Sequence, residues 1–245
     1  MKSLIIGYGE VGKSLYNILS KEYLTYWIDK NKRKSIKQKN FDIIHICFPY
    51  NENFVNSIIE YKNRYKPRYT IIHSSVPVGT SRKLNAIHSP VIGIHPHLEK
   101  SFKVFTKFIG GENASEIADY FRKIGIKVYL LDKQETTELI KLQCTTYYTT
   151  MIEFTKEMKK KCDELKIPFE AWSIWIDNYN KGYKKLGYPE YCRPNLIPIM
   201  TKIGGHCCAQ NLRLIDTKFS RFLINLESEN NINKNNAVIK NENKN

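Results

Sequence analysis

The chain has 245 residues, 42% of them hydrophobic, which is enough apolar material for one α/β domain of about 130 residues and a smaller helical one. Lys and Arg number 39 against 24 Asp and Glu, a formal net charge of +15, yet neither a basic stripe interleaved with aromatics nor a reader motif is present, which argues against nucleic-acid binding. No apolar run approaches the roughly 20 residues of a membrane helix, Met1 leads straight into the first predicted strand without a signal-peptide pattern, and the six cysteines (Cys47, Cys144, Cys162, Cys192, Cys207, Cys208) contain no Cys-x-x-Cys pair, so the expectation is a cytoplasmic protein with neither membrane span, metal site nor disulfide framework.

The first predicted strand, Ser3-Leu4-Ile5-Ile6, opens directly into Gly7-Tyr8-Gly9-Glu10-Val11-Gly12 and a helical stretch from Val11 to Tyr23. Strand, tight turn and helix at this spacing form a dinucleotide fingerprint. The first glycine permits the turn, the second lets a pyrophosphate approach the backbone, and the third lets the helix pack closely on the strand. The second predicted strand, Leu24-Thr25-Tyr26-Trp27-Ile28, ends in Asp29, close to the spacing at which an acidic residue receives the ribose hydroxyls of NAD. Asp29 would repel a 2′-phosphate and so favours NAD over NADP, while Lys30, Lys32 and Arg33 follow closely enough to leave that choice open.

Phe41 to Phe48 is a predicted buried parallel strand followed by Pro49, a further candidate cofactor contact, and Asn53 to Tyr65 carries apolar residues at helical spacing. Next come a strand from Tyr69 to His73, a helix near Ser81 to Ile87, a short strand from Val91 to Ile94, a strand from Phe105 to Ile109, a helix from Ala114 to Ile124 and a strand from Lys127 to Leu131. This alternation predicts the α/β class, with a Rossmann-like doubly wound sheet over residues 1–132. After Asp132, a long helical stretch from Glu135 to Lys166 repeats apolar residues three or four apart (Leu139, Leu142, Tyr147, Met151, Phe154, Met158, Leu165) and opens a mostly helical domain over residues 133–226. Gly182 to Gly205, rich in Gly, Pro, Tyr and Lys, is expected to form an ordered loop over a cleft, and Gln210 to Leu226 a closing helix. The Asn- and Lys-rich tail, 227–245, has little apolar surface to bury and is expected to be disordered.

The positive charge has two readings. It is a solvated, lysine-biased surface, or a field that draws in an anionic substrate, with Lys184, Lys185 and Arg193 of the cleft segment as its candidates.

Four places in the chain, taken in order, resemble the UDP-glucose/GDP-mannose dehydrogenase family of NAD-dependent sugar oxidoreductases. The fingerprint with Asp29 is similar to its NAD site. Ser74-Ser75-Val76-Pro77-Val78-Gly79-Thr80 resembles its Ser-Thr-Val-Pro-x-Gly-Thr segment, which implies Ser75, Val76 and Thr80 beside the nicotinamide. Glu138-Leu139-Ile140-Lys141 resembles the start of its central helix, whose lysine points into the active site, and Gly204-Gly205-His206-Cys207 resembles its nucleophile loop.

The resemblance implies oxidation of a sugar alcohol to the acid in two hydride transfers, with Cys207 capturing the intermediate aldehyde and water releasing it from a thioester. A thiolate suits this role because it is strongly nucleophilic even when little of it is ionised, and a cation such as Lys141 raises the ionised fraction or stabilises a developing alkoxide. Gly204, Gly205 and His206 are then substrate contacts, with His206 read as a hydrogen-bonded loop residue rather than a catalyst. Three departures matter. Pro96-His97-Leu98 stands where the family has Pro-Glu-Phe-Leu, and His97 is either a substitute general base or a substrate-binding loop residue. Thr145 replaces the helix asparagine four residues after the lysine, and Gln210-Asn211 replaces a Lys-Asp pair after the cysteine. Asn211 cannot take a proton as an aspartate can. The chain also ends where the family continues into a domain that grips the nucleotide, which suggests a short form with a smaller substrate or a cleft completed by a partner, and the exposed apolar side of the central helix suggests a homodimer.

Three functions remain open: an NAD-dependent oxidoreductase acting on a sugar-like hydroxyl, a plain two-electron alcohol or hydroxyacid dehydrogenase in which Cys207 only lines the pocket, and a dinucleotide-binding protein without turnover.

Overall fold

A computed structural model of the chain describes residues 1–31, 36–94, 96–199 and 206–228, the side chains of residues 206 and 207 excepted. The chain divides into two compact units, Met1–Leu142 and Gln143–Asn245. Among the described residues no helix is long and apolar enough to cross a membrane.

The first unit is a Rossmann-like α/β structure whose seven strands are β1 (Lys2–Ile6), β2 (Leu24–Ile28), β3 (Ile43–Ile46), β4 (Tyr69–Ile72), β5 (Ile87–His88), β6 (Lys107–Gly110) and β7 (Val128–Leu131). Their order across the sheet is β2-β1-β3-β4-β5-β6-β7. All neighbours run parallel except β5 and β6, which meet through His88 and Gly110. Helices cover both faces, which is why Ile43-Ile44-His45-Ile46 is buried at every position and reads as a continuous run instead of alternating. Ile5, Ile43, Ile71 and Ile109 enter one core with Leu15, Ile18 and Leu19 of α1 (Glu10–Leu19) and Ile117 and Phe121 of α5 (Ala114–Arg122). Leu4, Ile6, Ile44, Ile46 and Ile72 enter the other with Phe54 and Ile58 of α2 (Phe54–Tyr65). With β2 on one side of β1 and β3 on the other, the chain reverses direction at β1, and the crevice beyond the carboxyl ends there is where open α/β sheets take ligands.

The region after β4 departs from expectation. The helix expected near Ser81 to Ile87 is a single turn, α3 (Thr80–Lys83), and the strand forms at Ile87–His88 instead of Val91 to Ile94. Pro90 has no N–H with which to continue the ladder past Ser89. A short helix, α4 (Leu98–Val104), follows, burying Leu98, Ser101 and Phe102 on one side.

The division between the units falls within α6 (Gln134–Glu164). This helix ends where Lys166 turns left-handed, φ 55°, ahead of Pro168. Of the apolar residues that announce α6, Leu142 is buried, whereas Tyr147, Phe154, Met158 and Leu165 are exposed, and the buried positions beyond it are Thr146, Thr149, Glu153, Thr155 and Lys156. The cleft loop expected from Gly182 is corrected at its start. α7 (Glu170–Lys185) runs through Gly182 and ends at Lys185, two residues before Gly187 at φ 82°, whose N–H reaches the Lys184 carbonyl while that of Tyr188 reaches Tyr183. A 3-10 turn (Pro189–Tyr191) follows. The single closing helix is instead two: α8 (His206–Ile215) and helical residues 218–228. Asp216, φ 40°, breaks them, and Thr217 and Ser220 restart the helix, each donating its amide N–H to the other's hydroxyl, at 2.8 and 3.0 Å. Lys32, Arg33, Gly204, Gly205 and the tail from residue 229 lie outside the described residues.

Candidate functional site

The three fingerprint glycines differ in what surrounds them. A Cβ on Gly7, φ 95°, would sit 3.0 Å from the backbone of Cys47 and Phe48, and one on Gly12 would sit 1.9 Å from the Gly7 carbonyl, so turn and helix contact both forbid a side chain. Nothing lies within 4 Å of a Cβ built on Gly9. Gly9 is also the N-cap of α1 and brings no side chain to cap the first-turn amides, among them those of Val11 and Gly12. Open space before uncapped helix amides fits a pyrophosphate. Asp29 closes the other side: one carboxylate oxygen accepts the Tyr8 N–H at 2.7 Å and the other the Asn31 N–H at 2.9 Å. The Tyr8 ring stacks on Trp27 at 3.9 Å, which joins the glycine turn to β2. Glu10 and Lys30 are exposed beside this turn.

Three strands away from β2, the carboxyl end of β4 supplies the second half of the crevice. The Ser74 hydroxyl donates to the Phe48 carbonyl at 2.6 Å, tying this turn to the one that holds the exposed Pro49. Ser75 is half-buried, and Val76 is fully buried with its side chain in the core. The Thr80 hydroxyl donates to the Pro77 carbonyl at 2.6 Å and closes its own turn.

The first turns of α6 fasten onto these strand ends. His88 Nδ1 lies 2.8 Å from the Thr137 hydroxyl and its Nε2 3.2 Å from the Ser74 carbonyl. Burial, outweighing the Ser74 bond, lowers the His88 pKa to about 3, so the ring is neutral. Glu138, fully buried, accepts the Gly79 N–H at 2.6 Å and the Ser81 N–H at 2.7 Å. Burial raises its carboxyl above the ordinary range, opposed by Ser81 and Gly79. Arg82 pairs with Glu135, and the Lys141 ammonium donates to the Val91 carbonyl at 2.9 Å. Lys141 is thus held at the carboxyl end of the parallel strands, the end that carries the glycine turn and the Ser75 to Thr80 segment.

No protein-family model and no curated protein matches the chain. Solved structures do. UDP-D-ManNAc dehydrogenase from Pyrococcus horikoshii superposes with a TM-score of 0.70 at 15% identity, over 94% of this chain and 69% of that one. UDP-N-acetyl-mannosamine dehydrogenase from Staphylococcus aureus gives 0.71 at 15% identity, over 100% and 70%. The 3-hydroxyisobutyrate dehydrogenase of Mycobacterium tuberculosis gives 0.65 at 11% identity, over 93% and 92%. The chain has the fold of these dehydrogenases.

In the second unit the two positions that depart from the sugar-dehydrogenase pattern meet each other: Asn211 Nδ2 donates to the Thr145 hydroxyl at 2.9 Å, with Asn211 buried. Cys207 lies in the first turn of α8, one turn before Asn211, and the side chains of His206 and Cys207 lie outside the described residues. Lys184 is an exposed residue of the last turn of α7, not of a loop. Arg193 packs its guanidinium 3.8 Å over Tyr179, and its N–H bonds Asn180 at 2.8 Å, so it secures its own segment to α7. His97, in the first unit, is exposed at the N-cap of α4, with its carbonyl accepting from Ser101. Thr137, Glu138 and His88 carried no role in the sequence reading. Their signal was the buried polar residue itself, which shows only once burial is known.

Proposed function

We propose that the chain is an NAD-dependent oxidoreductase that oxidises the hydroxyl of a sugar or nucleotide-sugar-like substrate. The observation that carries this reading is the glycine cradle, open only before Gly9, with Asp29 beside it at the reversal point of the sheet. A bound NAD would accept the hydride from the CH–OH carbon. Gly9 and the α1 amides hold the pyrophosphate, Asp29 the adenosine ribose, and Ser75 and Thr80 line the nicotinamide half. Asp29 favours NAD over its 2′-phosphorylated form. Lys141, already donating to a carbonyl, stabilises the alkoxide left as the hydroxyl proton departs. Cys207 would add its sulfur to the aldehyde carbon while its proton passes to the carbonyl oxygen, giving a thiohemiacetal; loss of a second hydride would leave a thioester, from which water would release the acid and restore the thiol. A first-turn helix position favours the thiolate this needs. His206, Gly204 and Gly205 contact the substrate, His97 is a candidate base for hydrolysis, and Lys184 and Arg193 draw in an anionic group.

A second reading has its own support. Thr145 and Asn211, bonded to each other, are both uncharged, and the likeness to 3-hydroxyisobutyrate dehydrogenase extends over 92% of that chain. Both favour a single two-electron oxidation of a hydroxyacid. The deciding assay is NADH formation across nucleotide sugars, free sugars and hydroxyacids, with wild type beside Cys207→Ser. Two NADH per substrate, with a variant that stalls, supports the four-electron reaction. One NADH from both proteins supports the hydroxyacid reaction, and none, despite NAD binding, overturns catalysis altogether.

A further inference from the structure

The turn at Gly79 to Ser81 is held by a carboxylate that contributes nothing to the core. Glu138 is fully buried, which is costly for an ionisable group, and it recovers that cost through two short bonds from the Gly79 and Ser81 amides. The Thr80 amide is also committed, to the Pro77 carbonyl at 3.1 Å. Three successive amides therefore turn inward, and Val78, 48% exposed, is left on the outer side as an apolar surface. Sheet order places this turn three strands from Asp29, about 14 Å at the usual strand spacing. If the adenosine half of a dinucleotide lies at Asp29 and its pyrophosphate at Gly9, this turn meets the nicotinamide half.

We propose that Glu138 is a positioning residue for the nicotinamide half of the cofactor: it clamps the Gly79–Ser81 turn to the helix turn that carries Lys141, and so sets where the ring sits relative to that ammonium. This rests on the dinucleotide-binding reading above. The two anchors lie on successive turns of one helix, Glu138 holding the β4 turn and Lys141 the Val91 carbonyl beyond β5, so the ring-facing turn and the cation move as one piece. Glutamine in place of Glu138 has nearly the same shape but offers one carbonyl oxygen and sets an NH2 against the second amide.

The test compares NADH with ADP-ribose, which has the adenosine and pyrophosphate but no nicotinamide. Wild type is expected to bind both. Glu138→Gln is expected to weaken NADH by about tenfold, as for a lost bond to a charged group, with ADP-ribose affinity unchanged. That split is one a general loss of structure would not produce. If the Gln variant does not fold, Glu138→Asp, which keeps the charge but falls one methylene short, carries the same comparison and is expected to show a smaller split. Equal binding of NADH by wild type and variant, or equal loss of both ligands in a folded variant, overturns the clamp. Failure of wild type to bind either ligand overturns the dinucleotide reading itself.

Discussion

Lys107, at the start of β6, is 4% exposed and sits between the rings of Phe102 and Phe121 at 5.4 and 5.1 Å. The polar groups facing it are the Ser89 carbonyl at 3.2 Å, the His73 ring at 3.4 Å and, more distantly, Cys47, His45 and His88. The hydrogen bonds specify the imidazole tautomers. His73 Nδ1 donates to the Ser89 carbonyl at 2.8 Å, so its Nε2 accepts from His45 Nδ1 at 3.0 Å, and His45 Nε2 accepts from Tyr120, whose hydroxyl lies 2.8 Å from Ser3. Both rings are neutral, His45 driven down to about 3 by burial and then by Lys107. Burial likewise lowers Lys107 from 10.5 to about 7, with Cys47 opposing. The unfolded lysine keeps its proton up to its ordinary value and the folded one releases it near 7. Between these values the unfolded state binds more protons, so stability rises with pH by up to about 1.4 kcal/mol per pH unit, and the penalty is fully present below 7. Urea midpoints are therefore expected to climb from pH 7 to 9 in wild type and to stay level in Lys107→Met, which is also the more stable protein at pH 7. Parallel profiles for the two proteins would remove Lys107 as the source.

At the scale of an element, the second half of α6 buries a polar stripe instead of an apolar one. Glu153 and Lys156 pair at 2.7 Å, with side chains 1% and 4% exposed. Removing one member of a buried pair strands the other charge, whereas replacing both with apolar residues of similar volume is often neutral. Glu153→Gln is expected to destabilise the protein by about 3 kcal/mol, and the double replacement Glu153→Leu with Lys156→Met by much less. Denaturant melts of the singles and the double decide this, and additive losses would show that the two charges act independently.

For the molecule as a whole, the stripe has a complementary consequence. Tyr147, Tyr148, Phe154 and Met158 of α6 and Ile174 and Trp175 of α7 are exposed, Trp175 by 67%. Contiguous exposed apolar patches are where soluble proteins associate. A homodimer through this face of the helical unit is expected, with light scattering giving twice the 28.8 kDa chain mass and Tyr147→Glu with Trp175→Glu giving the monomer. A monomeric wild type at micromolar concentration would refute it.

What the sequence determined by itself is what depends on near neighbours in the chain. The strand, glycine turn and helix from Lys2 to Leu19 follow from local sterics, since Gly7 and Gly12 sit where no side chain fits, and the parallel strands follow from apolar runs that only a doubly covered sheet can bury. Helix ends turn on single residues: the one at Gly187 fell a few positions beyond where composition pointed, and the break at Asp216 interrupts a segment whose composition indicated one continuous helix. Tertiary structure alone decided the rest. Glu138 meets Gly79 across 59 residues, Asn211 meets Thr145 across 66, and Ser3 meets Tyr120 across 117. Periodicity could announce α6 as a helix but not which face it buries, because the buried positions Thr149, Glu153 and Lys156 are polar and apolar spacing does not mark them. A pattern of apolar spacing records how a segment coils, while the partner of a buried polar group is set by the packing of segments far apart in the chain.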